Sequence, residues 1–258
     1  MTDTPSLSLA GKKVLVTGAS SGIGQAIALA AARAGADVAI TYRARRSRAE
    51  ATAAEIEGIG RRAFVVDLDL DDPLSIERVG PAALDGLGGL DVWINNAGVD
   101  ILTGPNAALS NIEKLDLLLA ADLKGTILAS WAAARILGGR EDGGVIINMS
   151  WDHVVTGMRG TNPEMFAAVK GAVQAFSRSL ARSVAPRVRV NVLAPGWIDT
   201  AFGESLDTAR RQAVADDTPL GRWGTPVDVA GAAVFLASPA SSFMTGQTLY
   251  IGGGTVMP

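Results

Sequence analysis

The sequence predicts a single α/β domain, a doubly wound, seven-stranded parallel sheet with helices on both faces. Seven short β-rich runs, KKVLVTG, DVAITY, AFVVDLDL, LDVWINNAG, GVIINMS, VRVNVLAPG and TLYIGGG, alternate with Ala-rich amphipathic segments. The six crossovers between them are long enough for βαβ units. The runs are apolar almost continuously, as strands become when helices cover both faces of a parallel sheet. A glycine-rich turn directly after the first run adds a ligand-binding element at the first crossover.

Composition agrees with one large domain. The chain has 258 residues, 48% of them hydrophobic, with 30 glycines and 11 prolines, enough for a well-buried core. No linker or repeat divides it, so residues 1–258 are taken as one unit, with 1–8 flexible. The absence of cysteine excludes a disulfide framework and thiol catalysis, and one histidine leaves a metal centre almost all carboxylate, so no metal is expected. A net charge of −3 argues against a nucleic-acid partner. Apolar runs shorter than the ~20 residues of a membrane span argue against a bilayer. The start, MTDTPSLSLAGKK, carries no secretory pattern, so a cytoplasmic location is expected.

The first strand ends in Thr17-Gly18-Ala19-Ser20-Ser21-Gly22-Ile23-Gly24, and the helix that follows carries Ile23, Ile27 and Ala30 on its apolar face. Gly18 permits a tight turn, Gly22 lets amides approach a pyrophosphate, and Gly24 allows close packing of helix on strand. Such a turn without a ligand is the alternative. The other polar and glycine clusters, Asn95 to Gly98, Ser150 to His153 and Pro195 to Thr200, also follow strands. All therefore face the crevice beyond the carboxyl ends of the sheet.

The glycine turn, NNAG at 95–98, PGWIDT at 195–200, the helix carrying Lys170 and the ending TGQTLYIGGG together resemble the short-chain dehydrogenase/reductase family, nearest in pattern to its acyl-carrier-protein ketoreductases. The resemblance spans Ala10 to Gly254. It implies a Rossmann domain that binds a nicotinamide dinucleotide. Ser20 and Ser21 would lie in its phosphate turn, and the adenine side near Asp69 and Leu70. The ribose would sit near Asn96, Ala97 and Lys170, with Gly98, Pro195 and Gly196 in the same crevice and the carboxamide near Ile198 and Thr200. It also implies a small-molecule substrate and a homo-oligomer, dimer or tetramer, with contacts through the Glu164–Val184 helix and the Phe235–Pro258 region. The second strand ends Thr41-Tyr42-Arg43-Ala44-Arg45-Arg46, with no carboxylate before Glu50. An acidic residue there would hold the ribose hydroxyls of NAD, whereas Arg43 can clamp a 2′-phosphate, so NADP(H) is expected over NAD(H).

The family's catalytic set is an asparagine, a serine, a tyrosine and a lysine four residues after the tyrosine. Only Lys170 is retained: Asp122 stands at the asparagine position, Trp151 at the serine position and Phe166 at the tyrosine position. A phenyl ring cannot donate a proton. Ser150 is one residue early, which on a strand turns its side chain to the other face. The two tyrosines, Tyr42 and Tyr250, lie in strands remote from the expected nicotinamide site. The protic candidates are therefore Asp122, Asp152, Lys170 and His153, the last a side-chain type that titrates near neutrality. Asp122 is either the ion-pair partner of Lys170 or, if desolvated without it, an acid.

Trp151 and Phe166, with Met149, Met158, Met165 and Trp197, predict an unusually apolar pocket, with Met149 as core filling. Beside it, Thr156–Glu164 reads as a flexible loop and Asp199–Asp217 as a helical lid. Gly171, Val173, Phe176, Leu180 and Val184 form a stripe that is core or subunit interface, set among polar Gln174, Ser177 and Arg178. Three functions remain open: reduction of an activated C=C or an imine, the family's ketone/alcohol chemistry with another proton donor, or a non-redox lyase, isomerase, cyclase or inactive cofactor-binding protein.

Overall fold

In a computed structural model, described for residues 6–257, the seven runs are the strands β1 (Lys13–Val16), β2 (Asp37–Tyr42), β3 (Ala63–Asp67), β4 (Val92–Asn95), β5 (Gly144–Met149), β6 (Val188–Pro195) and β7 (Thr248–Ile251). All pair in parallel, in the order β3-β2-β1-β4-β5-β6-β7. The order reverses between β1 and β4, where Val14, Leu15 and Val16 face Val92, Trp93 and Ile94. A crevice opens at that switch point. The doubly wound expectation holds. The expected flexibility of residues 1–8 falls, for 1–5, outside the described residues.

The helices are α1 (Gly22–Arg33), α2 (Arg46–Gly58), α3 (Pro73–Leu87), α4 (Asn111–Leu117), α5 (Thr126–Gly138), α6 (Thr161–Val184), α7 (Ala201–Ser205), α8 (Thr208–Asp217) and α9 (Pro226–Ala237). Side-chain alternation divides the core between the two faces of the sheet. Val14 and Val16 of β1 join an apolar cluster with Ile27 of α1, Ile56 of α2 and Val229 of α9. Leu15, between them, joins the opposite cluster with Val79 of α3, Ala133 of α5 and Leu180 of α6. The near-continuous apolarity of the strands follows from this double covering.

A π-helical segment, Leu118–Gly125, fuses α4 and α5 into one stretch of 28 residues, Asn111–Gly138. By length and composition this stretch meets the requirement for crossing a bilayer, contrary to the expectation from the apolar runs. It is a core helix of this fold: Ala129, Ala132, Ala133 and Leu137 are buried against the sheet.

Helix α6 begins at Thr161, so the expected loop ends four residues early. Pro163 sits in the first helical turn, where its missing N–H removes no intrahelical bond. The stripe on α6 serves two ends. Val173 and Leu180 are buried, whereas Phe176 is half-buried and pairs edge-on, at 6.3 Å between centroids, with Trp131, which is 49% exposed. An apolar patch thus lies on the helix expected to carry subunit contacts. Gln174 and Ser177 are buried rather than solvated. The Gln174 amide donates to Ser150 Oγ at 3.0 Å, and Ser177 Oγ accepts from the Asn148 amide at 2.9 Å.

At the opposite end of the sheet Asp37 is buried. It accepts from the Lys13 ammonium, from the Arg61 guanidinium at 2.7 Å and from the Arg62 amide at 3.0 Å. Burial alone would raise its pKa, but the bond from Lys13, then the Arg62 amide and the two charges, outweigh it and hold the carboxyl below its ordinary value. The folded pKa therefore lies below the unfolded one. The stabilisation is fully present above about pH 4–5 and is lost as pH falls through the folded value. Asp37→Asn is expected to lower stability at pH 7 by about 2 kcal/mol and to flatten the acid limb of the urea-midpoint profile below about pH 5. An unchanged profile would remove this assignment.

Candidate active site

The glycine turn is shaped as the sequence predicts. Gly18 has φ +66°, and a Cβ there would stand 2.9 Å from Ala97 Cα. A Cβ on Gly24 would stand 2.4 Å from the Gly18 carbonyl oxygen, so neither position admits a side chain. Gly22 has φ +58°, and a Cβ there would meet Thr200 Cγ2 at an ordinary contact of 3.8 Å. Ser21 caps α1 without a side-chain hydrogen bond, and the first backbone bond at this end runs from the Gln25 amide to Ser21 O. The amides of Gly22, Ile23 and Gly24 are left pointing out of the helix N-terminus, a cradle that fits a pyrophosphate.

Thr17 ties this turn to the end of β4. Its hydroxyl accepts from the amides of Asn96 and Ala97, both at 2.9 Å, and its carbonyl accepts from the Asn96 side chain at 2.9 Å. Beneath, the Asn95 amide donates to Asn148 Oδ1 at 2.8 Å, and Asn148 passes the network on to Ser177 of α6. The ends of β4 and β5 and the helix carrying Lys170 are thereby held in register.

A cavity of about 570 Å³ lies over these strand ends. Ile23, Asn96, Gly98, Asp122, Trp151, Phe166, Lys170, Pro195, Gly196, Ile198 and Thr200 all border it, so the four strand-end clusters meet in one place with Asp122 and α6. Ser20, Ser21, Arg43, Asp69 and Leu70 do not border it. Arg43 is exposed at the end of β2, and Leu70 is buried against the backbone at Gly125.

Lys170 and Asp122 form the charged centre. Lys170 Nζ lies 2.8 Å from Asp122 Oδ2, and Oδ1 accepts from the Val99 amide at 2.7 Å. Both side chains are buried. Asp122 lies in the π-helical segment, a local widening of the kind frequent at functional sites. Asp122 is thus the ion-pair partner of Lys170, the first of the two roles left open.

Phe166 stands one turn before Lys170 on the same face of α6, its ring centroid 5.4 Å from Nζ. Trp151 meets it edge-on at 5.4 Å and stacks on His153 at 4.9 Å. Met158 and Trp197 border the cavity as expected, and Met149, expected as core filling, is buried in the apolar cluster with Ile27 and Val229 and borders the cavity as well. Met165 does not: it packs with Ile101, Leu118 and Val169 in a separate apolar cluster.

His153 is buried behind Trp151 and is not among the residues bordering the cavity. Its Nδ1 is 2.6 Å from Asp152 Oδ1, and its ring meets Trp197 edge-on at 5.8 Å. Ser150 borders the cavity, but its hydroxyl donates to Lys170 O at 2.9 Å and accepts from Gln174. The offset by one residue has turned it toward α6. Neither Tyr42 nor Tyr250 reaches the cavity.

The sequence reading missed the bordering residues Val99 to Leu102, while Asn162 and Phe202 lie in the loop and lid it placed beside the pocket. It also missed the bidentate pair of Asp199 with Arg211, at 2.8 and 2.7 Å, which ties the start of the 199–217 segment to α8. The guanidinium bonds, opposed by burial, hold the Asp199 carboxyl below its ordinary pKa. An Asp and an Arg twelve residues apart in a charged segment carry no signal that they will meet.

A family profile described as enoyl-(acyl carrier protein) reductase matches residues 18–256. The 3-oxoacyl-[acyl-carrier-protein] reductase of Vibrio cholerae is 37% identical over 260 aligned positions, covering 97% of this chain and all of that one. A short-chain type dehydrogenase/reductase from Mycobacterium marinum superposes with a TM-score of 0.88 at 33% identity, over 98% of both chains. The chain belongs to the short-chain dehydrogenase/reductase family. A 7α-hydroxysteroid dehydrogenase, solved with NADH and 7-oxo glycochenodeoxycholic acid, matches at a TM-score of 0.88 and 29% identity, over 100% and 99% of the two chains. As a short-chain dehydrogenase/reductase the chain is an oxidoreductase of that type, and the non-redox alternative is not favoured.

Proposed function

We propose that this short-chain oxidoreductase uses NADP(H) and a rebuilt proton site to reduce an activated C=C bond, an imine or a carbonyl. The buried Lys170–Asp122 pair carries the reading. Among the described residues, the titratable side chains bordering the cavity are Asp100, Asp122 and Lys170. Asp100 accepts from the amides of Leu102 and Thr103 in its own turn. Phe166 offers no proton.

A bound dinucleotide would supply the hydride. The chain's own residues supply binding, orientation and the proton. The amides at the α1 N-terminus suit the pyrophosphate, and Lys170 suits the ribose as a fixed positive donor. The Lys170 ammonium also serves as acid, giving a proton to the atom left electron-rich when its neighbouring carbon is reduced, and recovering it from solvent. Asp122 fixes that ammonium in place. An activated substrate suits such an arrangement, because less depends on the strength of the acid. His153, behind Trp151, is left with a supporting role. The 199–217 segment is read as the lid, since Thr200 and Phe202 border the cavity.

NADP(H) preference rests on the β2 end. Arg46 is paired with Glu50 at 2.8 Å, whereas Arg43 has no acidic partner within ion-pair distance among the described residues. Calorimetry is expected to show NADPH binding about tenfold tighter than NADH, the equivalent of one charge-assisted hydrogen bond. Arg43→Ala should abolish that difference without weakening NADH. Equal affinities in the unaltered protein would end the preference.

A further inference from the structure

We infer that the outer part of the cavity selects a neutral, flat, ring-bearing substrate over an anionic or a flexible chain-like one. The inference deepens the functional reading above and rests on its placing a dinucleotide with the ribose at Lys170.

The wall of this outer part is a connected aromatic chain. Phe166 meets Trp151 at 5.4 Å, Trp151 stacks on His153 at 4.9 Å, His153 meets Trp197 at 5.8 Å, and Trp197 stacks on Phe202 at 6.0 Å. Trp223 backs Trp197 at 5.7 Å. Trp151, Phe166, Trp197 and Phe202 border the cavity themselves, with Leu102 and Met158 beside them.

The wall is held from behind. Asp152 is fully buried and bonds His153 through Oδ1. It fits against the backbone at Gly196 and Gly252, where a Cβ would come within 2.4 and 2.1 Å of Oδ2. A loop residue so confined fixes the imidazole, and the imidazole fixes the plane of the Trp151 indole. Planes fixed in this way favour a rigid flat partner, whose rings stack without losing internal freedom, over an alkyl chain of equal area that must be ordered.

Charge selects further. Lys170 is the sole cation bordering the cavity among the described residues, and it is paired with Asp122 and assigned to the ribose and the reacting atom. Asp100 adds a negative charge at the rim. A carboxylate or phosphate in the outer part would be desolvated without a counter-charge.

The test is calorimetric, on the intact protein saturated with NADP⁺, which has no hydride to transfer, with three ketone or acid probes: 2-acetonaphthone, 2-naphthoate and 2-decanone. Acetonaphthone is expected to bind at least tenfold tighter than either of the others. Trp197→Leu is expected to weaken it about tenfold while leaving the NADP⁺ Kd unchanged, a control showing that the variant is folded. Naphthoate or decanone binding as tightly as acetonaphthone in the unaltered protein would overturn the inference. Failure of NADP⁺ to bind, with acetonaphthone still preferred in its absence, would sink the dinucleotide reading and leave the ring preference standing.

Discussion

Lys170→Met is expected to weaken NADPH binding about 10- to 100-fold and to unfold the protein several degrees earlier. The first effect follows from losing charge-assisted hydrogen bonds to the ribose, each worth about 1.5–3 kcal/mol. The second follows from Asp122, which is 1% exposed. Its Oδ1 would keep the Val99 amide, but Oδ2 would lose the ammonium 2.8 Å away. An uncompensated buried charge costs about 3–5 kcal/mol, or roughly 10 °C in Tm for a chain of this size. The two effects separate in the double variant Asp122→Asn/Lys170→Met. Both partners are then neutral and similar in shape, so most of the lost stability should return while NADPH affinity stays low. NADPH affinity recovering along with stability would show that Lys170 acts only as a structural ion-pair partner. Calorimetry and a thermal melt on three proteins decide it.

Asp122 also shows where sequence reading stops. The strands were legible because covering both faces of a parallel sheet forces unbroken apolar runs, and the turn at Gly18–Gly24 was legible because its steric demands admit almost no other residue. Ser150 was legible through strand periodicity, which placed its side chain on the far face before any contact was known. Asp122 was left with two roles, since its partner lies one helix and one strand further along the chain. The π-helical segment carrying it left no mark: its apolar spacing reads as ordinary helix, and widening the turn costs no change of composition. Gln174 and Ser177 misled for the same reason. Polar side chains on a helix read as solvated unless their acceptors, here Ser150 and Asn148, are known to face them. His153 lies in a short turn after β5, where no periodicity says which side of Trp151 it will take. Long-range pairing, rather than local pattern, separates what was read from what was not.

Introducing the family's serine and tyrosine together, Trp151→Ser with Phe166→Tyr, is expected to raise NADPH-dependent reduction of a small aryl ketone such as acetophenone by about 10²–10⁴, the usual value of a positioned general acid. The geometry explains why both changes are needed. Phe166 projects from α6 one turn before Lys170, and its ring already lies 5.4 Å from Nζ. A hydroxyl on that ring would enter the cavity, beside an ammonium that favours the tyrosinate and so tunes the acid. In the single variant Phe166→Tyr the hydroxyl would meet the Trp151 indole, whose centroid is 5.4 Å from that of the ring. It would then find no hydrogen-bond partner and little room for a carbonyl. Trp151→Ser removes that obstruction and supplies a second donor to the carbonyl oxygen. Asp122 limits the gain, because it holds Nζ at 2.8 Å. Adding Asp122→Asn should release the ammonium and raise the rate again. A gain under about threefold in the double and triple variants, with NADPH still bound, would mean that the cavity cannot host a ketone in the family's orientation. Phe166 and Trp151 would then be the working surfaces of a different reduction, and the C=C or imine alternatives would stand in place of the carbonyl.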